Sequence, residues 1–431
     1  MRSTWTRNRI VVLAGVLILL PGLLLASGLD AFAKKPVKPP PVPDTPSYEL
    51  MDCGVRGYYY AMSEYGDLAG ETERPSDLTA PWDWKACLIL AEDTDDDGHA
   101  DTWFRDVDGD GGNDLRVTLG NLGVVGPNEP SSAYDINNHG EAVGMSGLDN
   151  VARNHGFVWD GVVMHDLGAL FYETFSTQAD AINDDGVVLG GGGGVPAEPP
   201  EPPEEFADLG HQHFIVAPVY VDGVRTWYLD ADGDDLNDLM QPLGAGFSRA
   251  SCLDEAGRVP GVDSRGPVLL TPLDTDEDEY PDTWFRDEND DGLNDLATVL
   301  PAPTGYTWME FHAINENGWI VGSWDDSRGV RYAALWRPLA SGAYEFVDLG
   351  GVSRCVEALA RDINDDNVIV GWGRTRKGAF KSVLWVDGVQ QSLNDQVDPG
   401  ERTLLWPIAI NNRGEIAMST DNGPVVLVPV P

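Results

Sequence analysis

The chain is poor in positive charge, in cysteine and in long apolar segments. It has 28 lysine and arginine residues against 71 aspartate and glutamate residues, and its net charge is −43. So acidic a chain repels nucleic-acid phosphates and anionic lipid headgroups, which excludes nucleic acid as an expected partner and favours cations. Hydrophobic residues still make up 42% of the sequence, which is enough for a folded core and excludes a disordered chain.

The one apolar stretch long enough to consider for a membrane lies at the N-terminus. Basic residues precede the run 10–25, and Ala31-Phe32-Ala33 supplies the small residues of a cleavage site. This order of features predicts a secretory signal peptide at residues 1–33. A retained anchor is the alternative, although the run is short for a span. We expect a secreted protein, extracellular or at the cell surface, with no membrane insertion after cleavage.

An internal repeat dominates the rest of the chain. Each copy passes from an Asn-like turn through a glycine into a short apolar strand, and no window has a helical period, so the chain is predicted to be all-β. The anchor residues of the copies are Ser63, Asn137, Asn183, Asp254, Asn315, Asn364 and Asn411. The shorter steps, 46, 49 and 47 residues, are typical of a four-stranded propeller blade.

The two ends of the repeat region complement each other. The last copy stops after its third strand, at 425–428, and residues 48–54 have the pattern of a fourth strand with no repeat before them. Pairing them would remove two exposed sheet edges. We therefore predict a seven-bladed β-propeller of four-stranded antiparallel blades over residues 47–431, with the last blade closed by the N-terminal strand. An open solenoid is the alternative.

Segments between the repeats are predicted to be loops and linkers. Residues 34–46 contain six prolines and are expected to form an extended tether. The longer repeats are expected to carry insertions between their third and fourth strands, and the Pro/Glu run 196–205 is interpreted as one such surface loop. Gly190 to Gly194 is interpreted as a flexible linker.

Four cysteines are few for a secreted chain of this length: Cys53, Cys87, Cys252 and Cys355. They allow two disulfides in three connectivities. We favour Cys53 with Cys87 because both fall in the first repeat. A free, buried thiol is the alternative for each cysteine, and the spacing of Cys53 and Cys87 matches no zinc motif.

Five acidic loops share one register, with Asp followed by Asp or Asn two residues later, Asp four later and Asp eight later. They are Asp93/Asp95/Asp97/Asp101, Asp106/Asp108/Asp110/Asp114, Asp230/Asp232/Asp234/Asp238, Asp274/Asp276/Asp278/Asp282 and Asp287/Asn289/Asp291/Asp295. Calcium takes six to eight oxygens at ~2.3–2.6 Å, and alternate residues of a tight loop can direct carboxylates inward. We predict that these residues bind calcium, in insertions near 92–114, 230–238 and 274–295.

A solvated acidic loop is the alternative to a calcium site. None of the loops has the glutamate of an EF-hand. Asp234-Asp235 and Asp278-Glu279 lack the usual glycine, so those two sites are expected to be the weakest.

No catalytic residue is predicted. The aromatic pairs Trp103-Phe104, Trp227-Tyr228 and Trp284-Phe285 precede acidic loops, and we interpret them as strand packing rather than a ligand surface. His211 and His213 are interpreted as an exposed loop pair. Carboxylates are so plentiful that no catalytic pair can be picked out.

The cycle of Ile-Asn-x-x-Gly, Val-Val-Gly, apolar-Trp and Asp-Leu-Gly resembles the HAF-type extracellular repeat of bacterial secreted proteins. The His-Ala-Phe sequence after which this repeat is named is kept in part at His155-Gly156-Phe157, His213-Phe214 and Ala379-Phe380. Three loops, 106–115, 230–239 and 287–296, resemble the calcium hairpins of FG-GAP and integrin-type blades. The tandem loops are similar to thrombospondin type 3 repeats, without their cysteines. These resemblances imply a location and a fold rather than an activity.

We therefore expect a secreted calcium-binding propeller that acts as a binding or scaffold module at or outside the bacterial cell surface. Its partner would be an extracellular protein or a glycan. The alternative is a propeller enzyme, a polysaccharide hydrolase or lyase, which a cluster of His, Arg, Tyr or carboxylate side chains on the central channel would favour. A calcium-dependent adhesin whose loops contact a partner directly is the third hypothesis.

Overall fold

The structure is a computed structural model. It describes residues 48–74, 84–123, 129–148, 154–170, 176–193, 212–244, 246–400 and 402–430. The chain divides into two units, Met1–Thr45 and Pro46–Pro431, and every described residue belongs to the second. The predicted signal peptide and tether and the Pro/Glu run lie outside the described residues. Within the described residues, no helix has the length and apolar character needed to cross a membrane.

The described part of the chain is all-β, apart from one 3₁₀ turn at Leu393–Asp395. Its strands are β1 (Tyr48–Asp52), β2 (Gly57–Met62), β3 (Leu68–Thr72), β4 (Ala86–Ile89), β5 (Arg116–Gly120), β6 (Ser131–Ile136), β7 (Ala142–Gly147), β8 (Asn154–Trp159), β9 (Met164–Asp166), β10 (Ser176–Ile182), β11 (Val188–Gly193), β12 (Gln212–Val216), β13 (Val219–Val221), β14 (Val224–Thr226), β15 (Met240–Pro242), β16 (Val259–Asp263), β17 (Gly266–Leu270), β18 (Ala297–Val299), β19 (Trp308–Ile314), β20 (Ile320–Asp325), β21 (Arg331–Pro338), β22 (Tyr344–Gly350), β23 (Glu357–Ile363), β24 (Ile369–Arg374), β25 (Phe380–Val386), β26 (Val389–Ser392), β27 (Leu404–Ile410), β28 (Ile416–Thr420) and β29 (Gly423–Pro429).

Consecutive strands of a repeat pair antiparallel into a small sheet. Three of these sheets have the orders β2-β3-β4-β5, β6-β7-β8-β9 and β10-β11-β12-β15. Strands β19–β22 and β23–β26 form two more such units, which a single parallel contact between Arg331 and Glu357 joins into one larger sheet. The fourth repeat has only β16-β17-β18, and an isolated bridge from Ser248 to Val262 extends its inner side.

The first strand of the described chain belongs to the sheet of the last repeat, whose order is β1-β29-β28-β27. Strand β1 pairs antiparallel with β29, from Tyr48 opposite Pro429 to Asp52 opposite Val425. The first and last repeats also touch directly, because Arg413 Nη2 donates to the carbonyl of Tyr65 at 2.6 Å. The two segments that the sequence marks as complementary ends therefore share one sheet.

A circuit of hydrogen bonds links the repeats at the turn after each inner strand. In each repeat the residue after the anchor donates its backbone N–H to a side-chain oxygen of its counterpart in the next repeat. The donor–acceptor pairs are Glu64–Asn138, Asn138–Asp184, Asp184–Glu255, Glu255–Glu316, Glu316–Asp365, Asp365–Asn412 and Asn412–Glu64, with N···O distances of 2.7–3.3 Å. Because the last pair returns to the first residue, the circuit closes on itself.

The anchor asparagines add a second set of links, which gives a test. Asn364 is 4% exposed; its Nδ2 donates to the carbonyl of Asn411 at 3.1 Å, and its Oδ1 accepts the N–H of Val368 at 2.9 Å. Asn364→Ala leaves the N–H of Val368 unpaired and removes the link to the carbonyl of Asn411, which still accepts the N–H of Gly414 at 3.0 Å. We expect it to lower the free energy of unfolding by about 1–3 kcal/mol. Urea unfolding measures this loss.

The matched control for that test is Asn422→Ala, because Asn422 is exposed. We expect it to change the free energy of unfolding by less than about 0.5 kcal/mol. Equal losses for the two variants would contradict a role of the anchor side chain in joining repeats.

Glycine ends the Val-Val-Gly step because the second strand passes close to the inner strand. A Cβ on Gly144 would lie 1.9 Å from the carbonyl oxygen of Ser132. Gly190 is in the same position of its repeat, where a Cβ would lie 2.6 Å from the ring of Phe214. The interpretation of Gly190 to Gly194 as a flexible linker is wrong for Gly190 to Gly193, which form part of β11.

Three other sequence interpretations need correction. The four cysteines are free, and the Cys53–Cys87 disulfide is wrong, because Cys87 Sγ packs 3.5 Å from the hydroxyl of Tyr59. In chain order the Pro/Glu run 196–205 falls between β11 and β12, the second and third strands of its sheet, rather than between the third and fourth. His213 is buried on β12 rather than exposed in a loop.

Candidate functional site

The five acidic loops share one backbone conformation. In each, the first aspartate accepts the backbone N–H five residues later and the last aspartate accepts the N–H of the loop's second residue. The first set of bonds pairs Asp93 with Gly98, Asp106 with Gly111, Asp230 with Asp235, Asp274 with Glu279 and Asp287 with Gly292, at 2.7–3.2 Å. The second pairs Asp101 with Thr94, Asp114 with Val107, Asp238 with Ala231, Asp282 with Thr275 and Asp295 with Glu288, at 2.6–3.1 Å.

Four of these loops, all within described residues, bring three carboxylates together, with one oxygen from each lying within 4.8 Å of the others. The groups are Asp93/Asp95/Asp101, Asp106/Asp108/Asp114, Asp230/Asp232/Asp234 and Asp274/Asp276/Asp282. Of the other predicted ligands, Asp97, Asp110 and Asp278 accept the N–H two residues later, at 2.7–3.0 Å. The loop of Asp287, Asn289, Asp291 and Asp295 has the same backbone pattern, with an amide oxygen in place of one carboxylate.

The two loops without the usual glycine keep this conformation under strain. Asp235 and Glu279 occupy the glycine position with φ of 65° and 79°. Residues with a Cβ rarely adopt this left-handed region, and doing so costs free energy. Asp96 and Asp290 adopt the same region, with φ of 60° and 57°, in two loops that keep the glycine, so the weaker binding of the two loops stays a prediction.

Like charges are crowded inside the loops. The charge of Asp234 raises the pKa of Asp232, and the charge of Asp278 raises the pKa of Asp276. A divalent cation at the centre of such a group replaces this repulsion with attraction, and hard carboxylate oxygens are the ligands that calcium prefers.

A buried tryptophan ties each insertion to its repeat. Trp103, Trp227 and Trp284 are 1%, 2% and 0% exposed. Their indole N–H groups donate to the carbonyls of the turn glycines Gly66, Gly186 and Gly257, at 2.8, 2.7 and 2.9 Å. The interpretation of these aromatic residues as packing is confirmed for the three tryptophans.

A buried asparagine holds the base of three loops, and sequence reasoning missed its role. Asn237 Nδ2 donates to the carbonyls of Leu167 at 2.9 Å and Trp227 at 2.7 Å. Asn113 and Asn294 make the equivalent pair of bonds, one to the tryptophan of their own insertion and one to the carbonyl of Cys53 or Leu243 in the neighbouring sheet. The signal was the tripeptide Asn-Asp-Leu, which follows each of these loops.

A cavity of about 200 Å³, here called the central cavity, lies where one segment of every repeat meets. It is lined by the residue three positions before each anchor: Tyr60, Tyr134, Asp180, Ser251, His312, Arg361 and Ile408. In six of these repeats that residue is passed over by the pairing register. Such β-bulges redirect a side chain away from the regular pleat.

Three aspartates, Asp135, Asp180 and Asp362, line this cavity. Burial raises the pKa of Asp135 and of Asp180 to about 7, and the pKa of Asp362 to about 6. Asp135 Oδ2 accepts the N–H of Ile182 at 2.9 Å and Asp362 Oδ2 that of Ile410 at 2.7 Å. Both bonds favour the ionised form, but burial outweighs them.

The fifth and sixth repeats contribute a neutral imidazole and a positively charged guanidinium to the cavity. Burial, together with the charges of Arg361 and Arg331, lowers the pKa of His312 to about 3, so the imidazole is neutral. Its Nε2 is buried without a hydrogen-bond partner, and the carboxylate of Glu310 is 4.0 Å away. Arg361 Nη2 donates to the carbonyl of Tyr60 in the first repeat at 3.2 Å. His, Arg, Tyr and carboxylate groups therefore meet at one cavity.

The raised pKa of Asp180 predicts a pH dependence of stability. The folded state holds the proton more tightly than the unfolded chain, so this contribution is present below about pH 4 and is lost as the pH rises through about 7. Each unit of such a shift corresponds to about 1.4 kcal/mol. Because burial also raises the pKa of Asp135 and Asp362, we expect Asp180→Asn to remove part of the stability difference between pH 5 and pH 8, measured by urea unfolding. Asp387→Asn, which removes an exposed carboxylate, should leave the difference intact, and equal effects would contradict the assignment.

Comparison with known proteins gives weak similarities only. No family model matches the chain, and no curated protein sequence matches it. Among solved structures, TolB from Acinetobacter baumannii is 10% identical, with 67% of this chain and 63% of that chain covered and a TM-score of 0.34. A puromycin-hydrolyzing peptidase from Mycobacterium tuberculosis is 13% identical, with 85% and 58% covered and a TM-score of 0.37.

A lectin from Aleuria aurantia in complex with Fucα1-6GlcNAc is 10% identical, with 81% of this chain and 94% of that chain covered and a TM-score of 0.32. The chain thus aligns with less than two thirds of TolB and of the peptidase. Similarities at this level identify no function, which must be argued from this chain's own residues.

Proposed function

We propose that this protein is a secreted, calcium-stabilised β-propeller of seven blades that acts as a binding or scaffold module at or outside the bacterial cell surface. The observation that carries the proposal is the shared conformation of the five acidic loops, four of which gather three carboxylates within 4.8 Å. Calcium bound there would order loops whose charges otherwise repel one another.

The arrangement of the repeats supports a closed ring. The hydrogen-bond circuit returns from Asn412 to Glu64, and the pairing of β1 with β29 gives the last repeat its fourth strand. The central cavity, which draws one residue from each repeat, fits the axis of such a ring. Secretion rests on the N-terminal sequence pattern at residues 1–33.

Metal analysis after dialysis tests the calcium sites. With the purified full chain equilibrated in 1 mM calcium, we expect up to five ions per chain, with dissociation constants of roughly 10⁻⁴ M. Asp106→Ala should remove about one ion, while Asp387→Asn should remove none. Retention of no calcium, or the same loss in both variants, would overturn the proposal.

An enzyme acting at the central cavity is the second candidate. It is favoured by the convergence of Tyr60, His312 and Arg361 with three aspartates. The volume of about 200 Å³ is below the range of ordinary ligand pockets, so it would admit no more than a short segment of a polysaccharide chain. Release of reducing ends from a polysaccharide panel, absent from a His312→Ala variant, would replace the binding module with a polysaccharide-cleaving enzyme.

A further inference from the structure

The central cavity has the composition of a ligand site rather than of a structural core. Along the repeats, the position two before the anchor alternates among Ala, Asp and Cys, and the position one before it is aliphatic or Met. The position three before it, by contrast, carries Tyr, Tyr, Asp, Ser, His, Arg and Ile. Repeats that share one backbone and one packing scheme have no structural need for such diversity at the one position that all seven repeats turn toward the cavity.

The sign of charge in the cavity is negative. Three carboxylates face one guanidinium, and Arg361 is already engaged with the carbonyl of Tyr60. Four residues further along each repeat, the hydrogen-bond circuit adds the carboxylates of Glu64, Asp184, Glu255, Glu316 and Asp365. Burial raises the pKa of Glu64, and the charges of Asp365 and Asp362 add to this effect, so the two levels interact. An acidic, partly enclosed cavity concentrates cations.

Uncharged groups in the cavity suit an organic cation. Tyr60 and Tyr134 form an edge-to-face pair with ring centroids 5.5 Å apart, and aromatic faces attract cations that have lost part of their hydration. The neutral His312 adds an uncharged imidazole to the lining.

A metal ion fits the cavity less well. Among the described residues, the carboxylate, imidazole and thiol groups that come close enough to share an ion are those of the acidic loops, and no cavity residue is among them. The carboxylate, imidazole and thiol groups of the cavity are therefore too widely spaced to share one ion.

We propose that the central cavity binds a small alkylammonium compound, whose N–H groups donate to Asp135 and Asp180 and whose alkyl part lies against Tyr60 and Tyr134. This site goes beyond the calcium-binding module, because it depends on the inner strands and not on the acidic loops.

Binding of this ligand is linked to protonation of the cavity. The titratable and charged groups that face it are Tyr60 on β2, Tyr134 and Asp135 on β6, Asp180 on β10, Cys252 before β16, His312 on β19, and Arg361 and Asp362 on β23. Burial raises the pKa of Asp135 and Asp180 to about 7 and that of Tyr134 to about 12. An alkylammonium ion, with a pKa near that of lysine at about 10.4, stays charged from pH 6 to pH 8. A cation then competes with protons for the two aspartates, and its affinity should rise with pH.

Isothermal titration of the calcium-loaded full chain with butylammonium chloride tests the proposal. We expect saturable binding at pH 8 and at least tenfold weaker binding at pH 6. Asp180→Asn and Asp135→Asn each keep an oxygen acceptor for their internal bonds, and each should weaken binding at pH 8 at least tenfold. Asp387→Asn should bind like the unmodified chain.

Matched probes decide between ligand classes. Sodium butyrate and butanol share the alkyl chain of butylammonium, and we expect neither to bind. No saturable heat with butylammonium, tighter binding of butyrate or butanol, or equal affinities of Asp180→Asn and Asp387→Asn would each overturn the proposal. Competition by calcium would also overturn it, if added calcium displaced butylammonium from the Asp106→Ala variant and one more calcium ion became bound in the cavity.

The same titration separates this site from the acidic loops. Butylammonium affinity should be unchanged in Asp106→Ala, which loses a loop ion if the calcium proposal holds. If the chain binds butylammonium but no calcium, the cavity proposal stands and the calcium proposal fails. If it binds calcium but no butylammonium, the calcium proposal stands and the cavity proposal fails.

Discussion

Removal of calcium should lower the melting temperature of the protein by about 5–10 °C. At 1 mM calcium, a site with a dissociation constant near 10⁻⁴ M adds about 1–2 kcal/mol of stability, so five sites together add roughly 7 kcal/mol. A chain of this length has an unfolding entropy of roughly 0.8 kcal/mol per kelvin, which converts that free energy into the expected shift. Calorimetry in 1 mM calcium and in EDTA measures it.

The acidic loops provide an internal control for this effect. Asp106→Ala should reduce the calcium-dependent shift by about a fifth, because one of five sites is lost, whereas Asp387→Asn should show the full shift. Superimposable melting curves in calcium and EDTA would show that the loops contribute nothing as ion sites.

Truncation of a buried tryptophan should have the largest effect of any single substitution considered. Trp284 is 0% exposed, and its indole N–H donates to the carbonyl of Gly257 at 2.9 Å. Trp284→Ala leaves a cavity and an unpaired buried carbonyl, and we expect a loss of about 3–5 kcal/mol in the free energy of unfolding. Denaturant unfolding in 1 mM calcium measures it.

Trp308 is the matched control, since the same residue is 39% exposed there and packs under the guanidinium of Arg249. We expect Trp308→Ala to cost about 1 kcal/mol, in line with an exposed cation–π contact. A loss of similar size at both positions would mean that Trp284 does not anchor its insertion.

The all-β class and the acidic loops could be predicted because both depend on residues that are close together in the sequence. A repeat gives the same turn and strand signals in every copy, and a loop that brings carboxylates together does so through alternation within nine residues. The strand pairing of β1 with β29 was also expected, from the missing strand at each end. The fifth loop has Asn289 in place of the second aspartate, and its position in the shared register could also be predicted.

Other features depend on neighbours far away in the sequence. The glycines of β11 suggest a linker when taken alone, but the ring of Phe214 on the next strand fills the space beside Gly190. Cys53 and Cys87 fall in one repeat, yet Cys53 follows β1 of the last sheet and Cys87 lies on β4 of the first. Proximity in sequence was a poor guide to proximity in space at both positions.

The central cavity was missed for a different reason. Its residues come from seven copies, and none of them stands out within its own copy among so many carboxylates. Comparing the copies position by position would have found it, because the place occupied by Tyr60, His312 and Arg361 is the one whose chemistry changes most between repeats. The β-bulge that turns this residue inward has no sequence mark of its own.

The pairing of Tyr48 with Pro429 also fixes the order in which the molecule can be completed. Strand β1 is synthesised before the other described strands and its partner β29 after them, so this sheet is the last of the described sheets that can be completed. Bringing the two ends together costs roughly 5 kcal/mol of chain entropy for a loop of this length. Contacts between residues so distant in sequence form slowly. We therefore expect the pairing of β1 with β29 to be a slow step in folding.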